Sequence, residues 1–582
     1  MRTLRSFSST ISAVLSLAMQ AAGQPPDVSA ADRPPDRNVI AYGMRAEGAM
    51  MSWLRDVSPV GEGYLQGFVP AKKLGHVLSG DRYSLGRFQW VNDPRLENLL
   101  GVPSVDGEVT PEKAAADQQL LDGLVETMVP DWRGLSPERY EYKFVRREFL
   151  GALRCLVYDV TPRSPEDGVF AGRIYLEERT WNLVRFTGMN RRVDSRLKAL
   201  RDNNSRFRID GWRVNVTGNR WAPAFAFIEE SLPLGSPESR LVKGQVRFWG
   251  YDKAPPPRQD QFTEVKLVKS VSTVSGAGPR GCSPQQCERQ FESQAEENVL
   301  DRLFQAKLLG VPGDVEQKLE QVLTNLEVPN RLVLAQAIRC RLLLTTRLEA
   351  FTVGNTIVLS RGLVDVLPGE SAIALVLAHQ LAHNDLGHRK IDSNLGFPDV
   401  LRISDAELLA KLRFRHTPEE EKAADERAMQ ILRASMYQQK MSECGLAMQA
   451  LQAYAPRLSH LIQPSFGEHV ADAAQVVRDD DMFRIADVLD EESAEQVAGL
   501  PLGSNLMVNP WNGKVELLRS EKLPALAAHE RAEFAVTPFV PYLDYFVENP
   551  APSKPPATAP RPTVRRTNTP VRPTAVAVKK GS

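Results

Sequence analysis

The hydrophobic period of the chain changes once, and that change limits the fold more than any other feature. From about residue 138 to 252 apolar and polar positions alternate through aromatic and β-branched runs, among them YEYKFVRREF, RCLVYDVTP, GRIYLEE and VKGQVRFWGYD. Turn signals such as Pro-Glu-Asp-Gly and Thr-Gly-Asn separate several of them. The pattern predicts an antiparallel sheet with one buried face. Residues 253–288 are rich in Pro, Gly, Ser and Gln and read as a linker. Beyond them, ENVLDRLFQAKLLG and DVEQKLEQVLTNL place apolar residues three and four apart, the spacing of amphipathic helices. Helical spacing continues through 369–390, 404–412, 418–434 and 440–454. The expected class is α+β, with a β-rich domain over 45–252 and a mainly helical domain over 289–545. A chain of 582 residues exceeds one ordinary core, which agrees with that division.

Both ends read as segments outside the fold. Arg2 and Arg5 precede the apolar run ISAVLSLAMQAAG, too short to span a bilayer, and small residues follow at Ala21, Ala22 and Gly23. Residues 1–23 therefore read as a cleaved secretory signal, the other reading being a frayed N-terminal helix, and 24–44 as a linker. Export places the mature protein in the periplasm or outside the cell. Residues 549–582 are proline-rich and basic without one acidic residue, so they read as disordered. Such a tail is either an inert solubiliser or a contact to an anionic membrane surface. Lysine plus arginine equals aspartate plus glutamate, 72 of each, so nothing global points to a nucleic-acid partner. In the oxidising space that export implies, Cys282 and Cys287 in PRGCSPQQCERQ are a disulfide candidate, whereas Cys155, Cys340 and Cys444 lie in apolar contexts and read as buried.

The chemistry concentrates at 377–383, Leu-Ala-His-Gln-Leu-Ala-His. On a helix, His379 and His383 share a face and can point at one ion, the geometry of a zinc-ligand pair. In the usual H-E-x-x-H pattern the residue after the first histidine is the general base; here it is Gln380. A second helix, TPEEEKAADERAMQIL, carries Glu421 and Asp425 at i and i+4.

Three motifs then occur in order: F-x-x-G-x-x-I-x-L-S-x-G-L from Phe351, L-A-H-x-L-A-H-x-x-x-G-H from Leu377, and E-x-x-A-D from Glu421. Over roughly 290–470 the chain resembles the zinc metallopeptidases that include the CAAX-prenyl protease and the HtpX-type membrane proteases. It is most similar to their soluble periplasmic relatives. That resemblance implies a zincin-type domain in which His379, His383 and Glu421 hold Zn2+ and leave a fourth position open. It also implies that the strand from Phe351 to Leu359 pairs with an extended substrate, with Phe351, Thr352, Val353, Gly354 and Asn355 as substrate-binding residues. Asp425 reads either as a group orienting a ligand histidine or as a solvated helix-face carboxylate. His388 reads as a helix C-terminal residue. The order of motifs between 150 and 190 resembles the lipoprotein-carrier (LolA-like) half-barrel, which would imply a concave apolar surface for a lipid or a protein segment.

Two departures stand against the family pattern. Glutamate at 380 would take a proton from the attacking water, which glutamine cannot do near neutral pH. The family's later His-Pro pair is matched best by Gln463-Pro464, with His469 where a basic group would fall. Three readings follow. The protein is a zinc-binding relative with impaired or lost hydrolysis that grips extended or misfolded protein clients in the cell envelope. Or it is an active zinc endopeptidase using Glu370, Asp385 or Glu420 as a substitute base. Or the histidines are a metal-free core feature.

Overall fold

The computed structural model describes residues 38–71, 75–90, 94–99, 122–150, 153–191, 206–217, 220–231, 241–251, 283–332, 337–367, 369–388 and 404–467 without 413. Four single residues (35, 470, 484 and 486) and two short strands, Leu506–Val508 and Val515–Leu517, complete the set. The signal-like N-terminus, the basic tail, His469, Cys282 and the side chain of Cys287 lie outside the described residues, as does the proposed disulfide.

Helix α1 (Val39–Leu54) begins inside the stretch read as an N-terminal linker. The next stretch, which the sequence pattern did not place, holds β1 (Val60–Ala71), β2 (Gly75–Trp90) and β3 (Pro94–Asn98). The alternating runs become β4 (Tyr140–Leu150), β5 (Leu153–Pro162), β6 (Phe170–Glu177), β7 (Leu183–Asn190), β8 (Arg206–Thr217), β9 (Arg220–Ser231) and β10 (Leu241–Trp249). They form one ten-stranded sheet in the order β3-β2-β1-β10-β9-β8-β7-β6-β5-β4, antiparallel throughout. The expected β-rich part is therefore present and larger than the alternation alone indicated.

One face of the sheet is covered by the chain itself. Met50, Met51 and Leu54 of α1 and Leu124, Val125 and Met128 pack on Leu65, Phe88, Ile174, Phe186 and Phe248. A buried Glu47–Arg213 pair, with both oxygens engaged at 2.5 and 2.6 Å, pins α1 to the sheet.

The helical part contains α2 (Pro284–Gln305), which starts within the stretch read as the second linker, and α3 (Asp314–Asn330). A small sheet follows, with β11 (Arg339–Leu343), β12 (Ala350–Val353) and β13 (Thr356–Ser360) in the order β11-β13-β12. Then come α4 (Arg361–Val366), α5 (Glu370–Asp385), α6 (Asp405–Lys411), α7 (Pro418–Arg433), α8 (Met441–Tyr454) and α9 (Ser459–Ile462). Every residue of α5 from Ser371 to Asn384 is buried, as expected for a helix that is apolar nearly all round and lies at the centre of its domain.

The two parts share one core. Val60, Tyr64, Tyr83 and Leu85, on the face of β1 and β2 opposite α1, pack in the same cluster as Leu343, Leu348 and Leu461. Period-two alternation sets this division, because Leu65 and Phe88 face the other way. Polar ties cross the same surface. Glu62 accepts from the Thr346 backbone N–H at 2.6 Å and from its hydroxyl at 2.7 Å. Arg87 pairs with Asp405 at 2.7 Å. Arg247, whose guanidinium burial pulls down to about 10, reaches both Glu62 and Thr346. Among the described residues no helix is long and apolar enough to cross a membrane.

Candidate metal centre

The site is built where α7 crosses α5. The start of α7 is set by a capping box: Thr417 accepts from the Glu420 N–H, Glu420 accepts from the Thr417 N–H, and Pro418 follows the cap. This places Glu421 in the first turn, where the helix dipole favours a carboxylate. One turn further on, Asp425 lies on the buried face with Ala424 and Ala428.

His379 Nε2 lies 3.2 Å from His383 Nε2 and 3.2 Å from Glu421 Oε2, and His383 Nε2 lies 3.7 Å from Glu421 Oε1. Ligand atoms about 2.0–2.1 Å from a tetrahedral zinc stand roughly 3.3–3.4 Å apart, so the spacing fits such an ion. The donor set fits as well, since two imidazoles and a carboxylate are zinc ligands. These three residues could hold a metal.

The other ring nitrogens have partners that leave Nε2 for a ligand role. His379 Nδ1 lies 2.8 Å from the carboxylate of Asp425, which is 1% exposed. The solvated reading of Asp425 is thereby excluded. His383 Nδ1 lies 3.2 Å from His388 Nδ1. With the His383 lone pair on Nε2, its Nδ1–H donates and His388 accepts. His388 lies just past the end of α5 rather than on it: its N–H donates back to the His383 carbonyl at 2.9 Å, and its ring also reaches the site. His416 was missed by the sequence reading. Its ring stacks on His383 at 3.8 Å, Nε2 donates to the His388 carbonyl at 2.8 Å, and Nδ1 lies 3.7 Å from Glu421. Its position just before the cap of the Glu421 helix was the available signal.

Gln380 is 1% exposed, and its side-chain oxygen accepts from the Thr352 hydroxyl at 2.7 Å. The three acids weighed as substitute bases are engaged elsewhere. Glu370 accepts from Tyr437, Asp385 pairs with Arg427, and Glu420 caps α7. Cys340 and Cys444 are buried as expected, with thiols pushed up to about 12, so neither is a nucleophile at neutral pH.

The stretch Phe351–Leu359 is not a single strand. It is a hairpin of β12 and β13 turning at Gly354 and Asn355. Gly354 has φ +59°, and a Cβ there would stand 2.3 Å from Glu296. Glu296 holds the turn by accepting from the Asn355 N–H at 2.9 Å and the Thr356 hydroxyl at 2.7 Å. Of the five residues read as substrate-binding, Gly354 and Asn355 thus form the turn, while the Phe351 ring stacks on Phe414 at 4.7 Å. Thr352 is the one tied to the site. The Gly362 of the first motif is also explained: a Cβ there would stand 1.7 Å from the Thr346 carbonyl.

Residues 312–399 match the model of peptidase family M48. This stretch of the chain is metallopeptidase-like; it includes both histidines of α5 and ends before Glu421. No curated protein matches. Among solved structures, an outer membrane lipoprotein-sorting protein domain from Vibrio parahaemolyticus is 8% identical, with 39% of this chain and 97% of that chain covered and a TM-score of 0.19. A LolA superfamily protein from Nitrosomonas europaea is 9% identical, with 37% and 97% covered and a TM-score of 0.16.

Proposed function

We propose that this metallopeptidase-family protein is exported, binds Zn2+ through His379, His383 and Glu421, and grips extended or misfolded protein segments in the cell envelope with impaired or lost hydrolysis. The observation that carries the reading is the close, buried grouping of those three side chains beside an amide at position 380. When bound there, zinc would supply Lewis-acid polarisation of a carbonyl oxygen.

The chain's own residues account for the rest. Asp425 and His388 hold the two imidazoles by their Nδ1 atoms, fixing tautomer and ring plane. Gln380 accepts from Thr352 and has no carboxylate with which to take a proton from water or pass it to a leaving nitrogen. The engagement of Glu370, Asp385 and Glu420 elsewhere supports this reading over an active endopeptidase with a substitute base. Export is supported by Arg2 and Arg5 before the apolar run, and N-terminal sequencing of the mature chain tests it.

Metal content and hydrolysis test the function. Purified protein should carry about one zinc per chain and cleave unfolded polypeptide slowly or not at all. Efficient, chelator-sensitive cleavage by the native sequence would overturn the base-deficient reading, and absence of metal would overturn the zinc site.

A further inference from the structure

Strand β12 is the edge of its three-stranded sheet, and the hairpin register decides which backbone groups face outward. The Ser360 N–H donates to the Glu349 carbonyl at 2.8 Å, so residues 349, 351 and 353 bond toward β13. Leu348, Ala350 and Thr352 therefore turn their backbone groups to the outer edge.

The chain's own residues 461–467, which leave the end of α9, meet that edge at two points. The Leu348 N–H donates to the Leu461 carbonyl at 2.9 Å. Gly467 lies so close that a Cβ there would stand 2.5 Å from the Ala350 carbonyl oxygen. The Phe466 N–H donates to the Glu349 carboxylate at 3.1 Å, and its ring meets Phe351 edge-on with centroids 6.4 Å apart. Consistent with this, all four residues of β12 are buried.

The far end of this segment is held within its own domain, by the Phe414 N–H on the Phe466 carbonyl at 2.9 Å and by Arg415 on the Gly467 and Pro464 carbonyls at 3.2 and 3.3 Å. The anchor of its start comes from the other domain. Asp81 of β2 accepts from the Leu461 N–H at 2.8 Å through one oxygen. Through the other it meets the His460 N–H at 3.0 Å and His460 Nδ1 at 3.2 Å. The Tyr64 hydroxyl donates to the same carboxylate at 3.2 Å. A single buried side chain of the β-rich domain thus fixes the point at which the segment reaches the edge.

We infer that residues 461–467 are an internal occupant of the β12 edge, latched by Asp81, and that an extended polypeptide docks there only when the latch is released. The inference rests on the reading of β12 as the client-binding strand. It gives the β-rich domain control of access to the β12 edge.

The test uses the full chain with Asp81→Ala and the gentler Asp81→Asn. Hydrogen exchange is followed in 461–467, and binding of a fluorescein-labelled, reduced and alkylated unfolded polypeptide is followed by anisotropy. Both variants should raise exchange in 461–467 and lower the Kd for the polypeptide, by about tenfold for Asp81→Ala. Zinc content of the same samples should not change, which separates this outcome from failure of the metal site. Exchange unchanged in both variants would show that Asp81 is no latch. Exchange raised with no gain in binding would show that the segment does not guard a docking edge. Should Asp81→Ala fail to fold, Asp81→Asn decides between the same outcomes.

Discussion

The Thr352 hydroxyl donates to the Gln380 side-chain oxygen at 2.7 Å, joining the edge strand of the small sheet to the helix that carries both histidines. The bond turns the amide oxygen toward β12 and the amide nitrogen away from it. A carboxylate at the same position could accept the same bond through one oxygen and keep the other for chemistry.

Gln380→Glu should therefore fit without rearrangement. Chelator-sensitive hydrolysis of an internally quenched peptide is expected to rise by roughly 10²–10⁴ over the native sequence, the usual contribution of a general base. No gain would assign the deficit to the second departure at Gln463 or to the covered edge of β12.

His379→Ala should abolish stoichiometric zinc and lower the melting temperature, because a buried ligand is lost from the domain's central helix. Metal analysis and calorimetry on one preparation check both. Chelation of the native protein should lower the melting temperature in the same direction, and an unchanged value would argue against a metal-stabilised core.

Asp425→Asn and His388→Ala should each weaken zinc binding by about 10–100-fold while leaving stoichiometry near one at saturating metal. Competition with a chromogenic chelator measures this. Equal affinity in the native protein and both variants would remove the orienting role.

Glu349 gives a prediction in pH. Burial is the largest effect on its carboxyl and holds it above the ordinary range. A carboxyl raised on folding contributes stability that is full below its unfolded value of about 4.3 and is lost as pH rises through the folded value. Glu349→Gln removes that loss while keeping an acceptor for the Phe466 N–H. The melting temperature of the variant relative to native should increase as pH rises above about 4.3. A difference that does not change with pH would contradict it.

Much of the local structure was legible because it follows from local causes. Period-two runs became β4 to β10, and three- to four-residue spacing became α5, α7 and α8 within a few residues of their expected limits. Spacing on α5 put His379 and His383 on one face, and the resemblance carried by E-x-x-A-D implied Glu421 as their companion. The family resemblance treats Phe351 to Leu359 as one strand, although Gly354-Asn355 between its two apolar runs is a turn signal. The turn itself depends on Glu296, which is distant in sequence.

By itself, then, the sequence determined the α+β division, the helices and the pairing of two histidines, since each depends on residues a few positions apart. Only the tertiary structure decided the rest. It brought His388 and His416 against His383, buried Asp425 at His379, joined β1 and β2 to the helical core and set Leu461 and Gly467 against the edge at Leu348 and Ala350. Those contacts join residues remote in the chain, and packing rather than periodicity selects them.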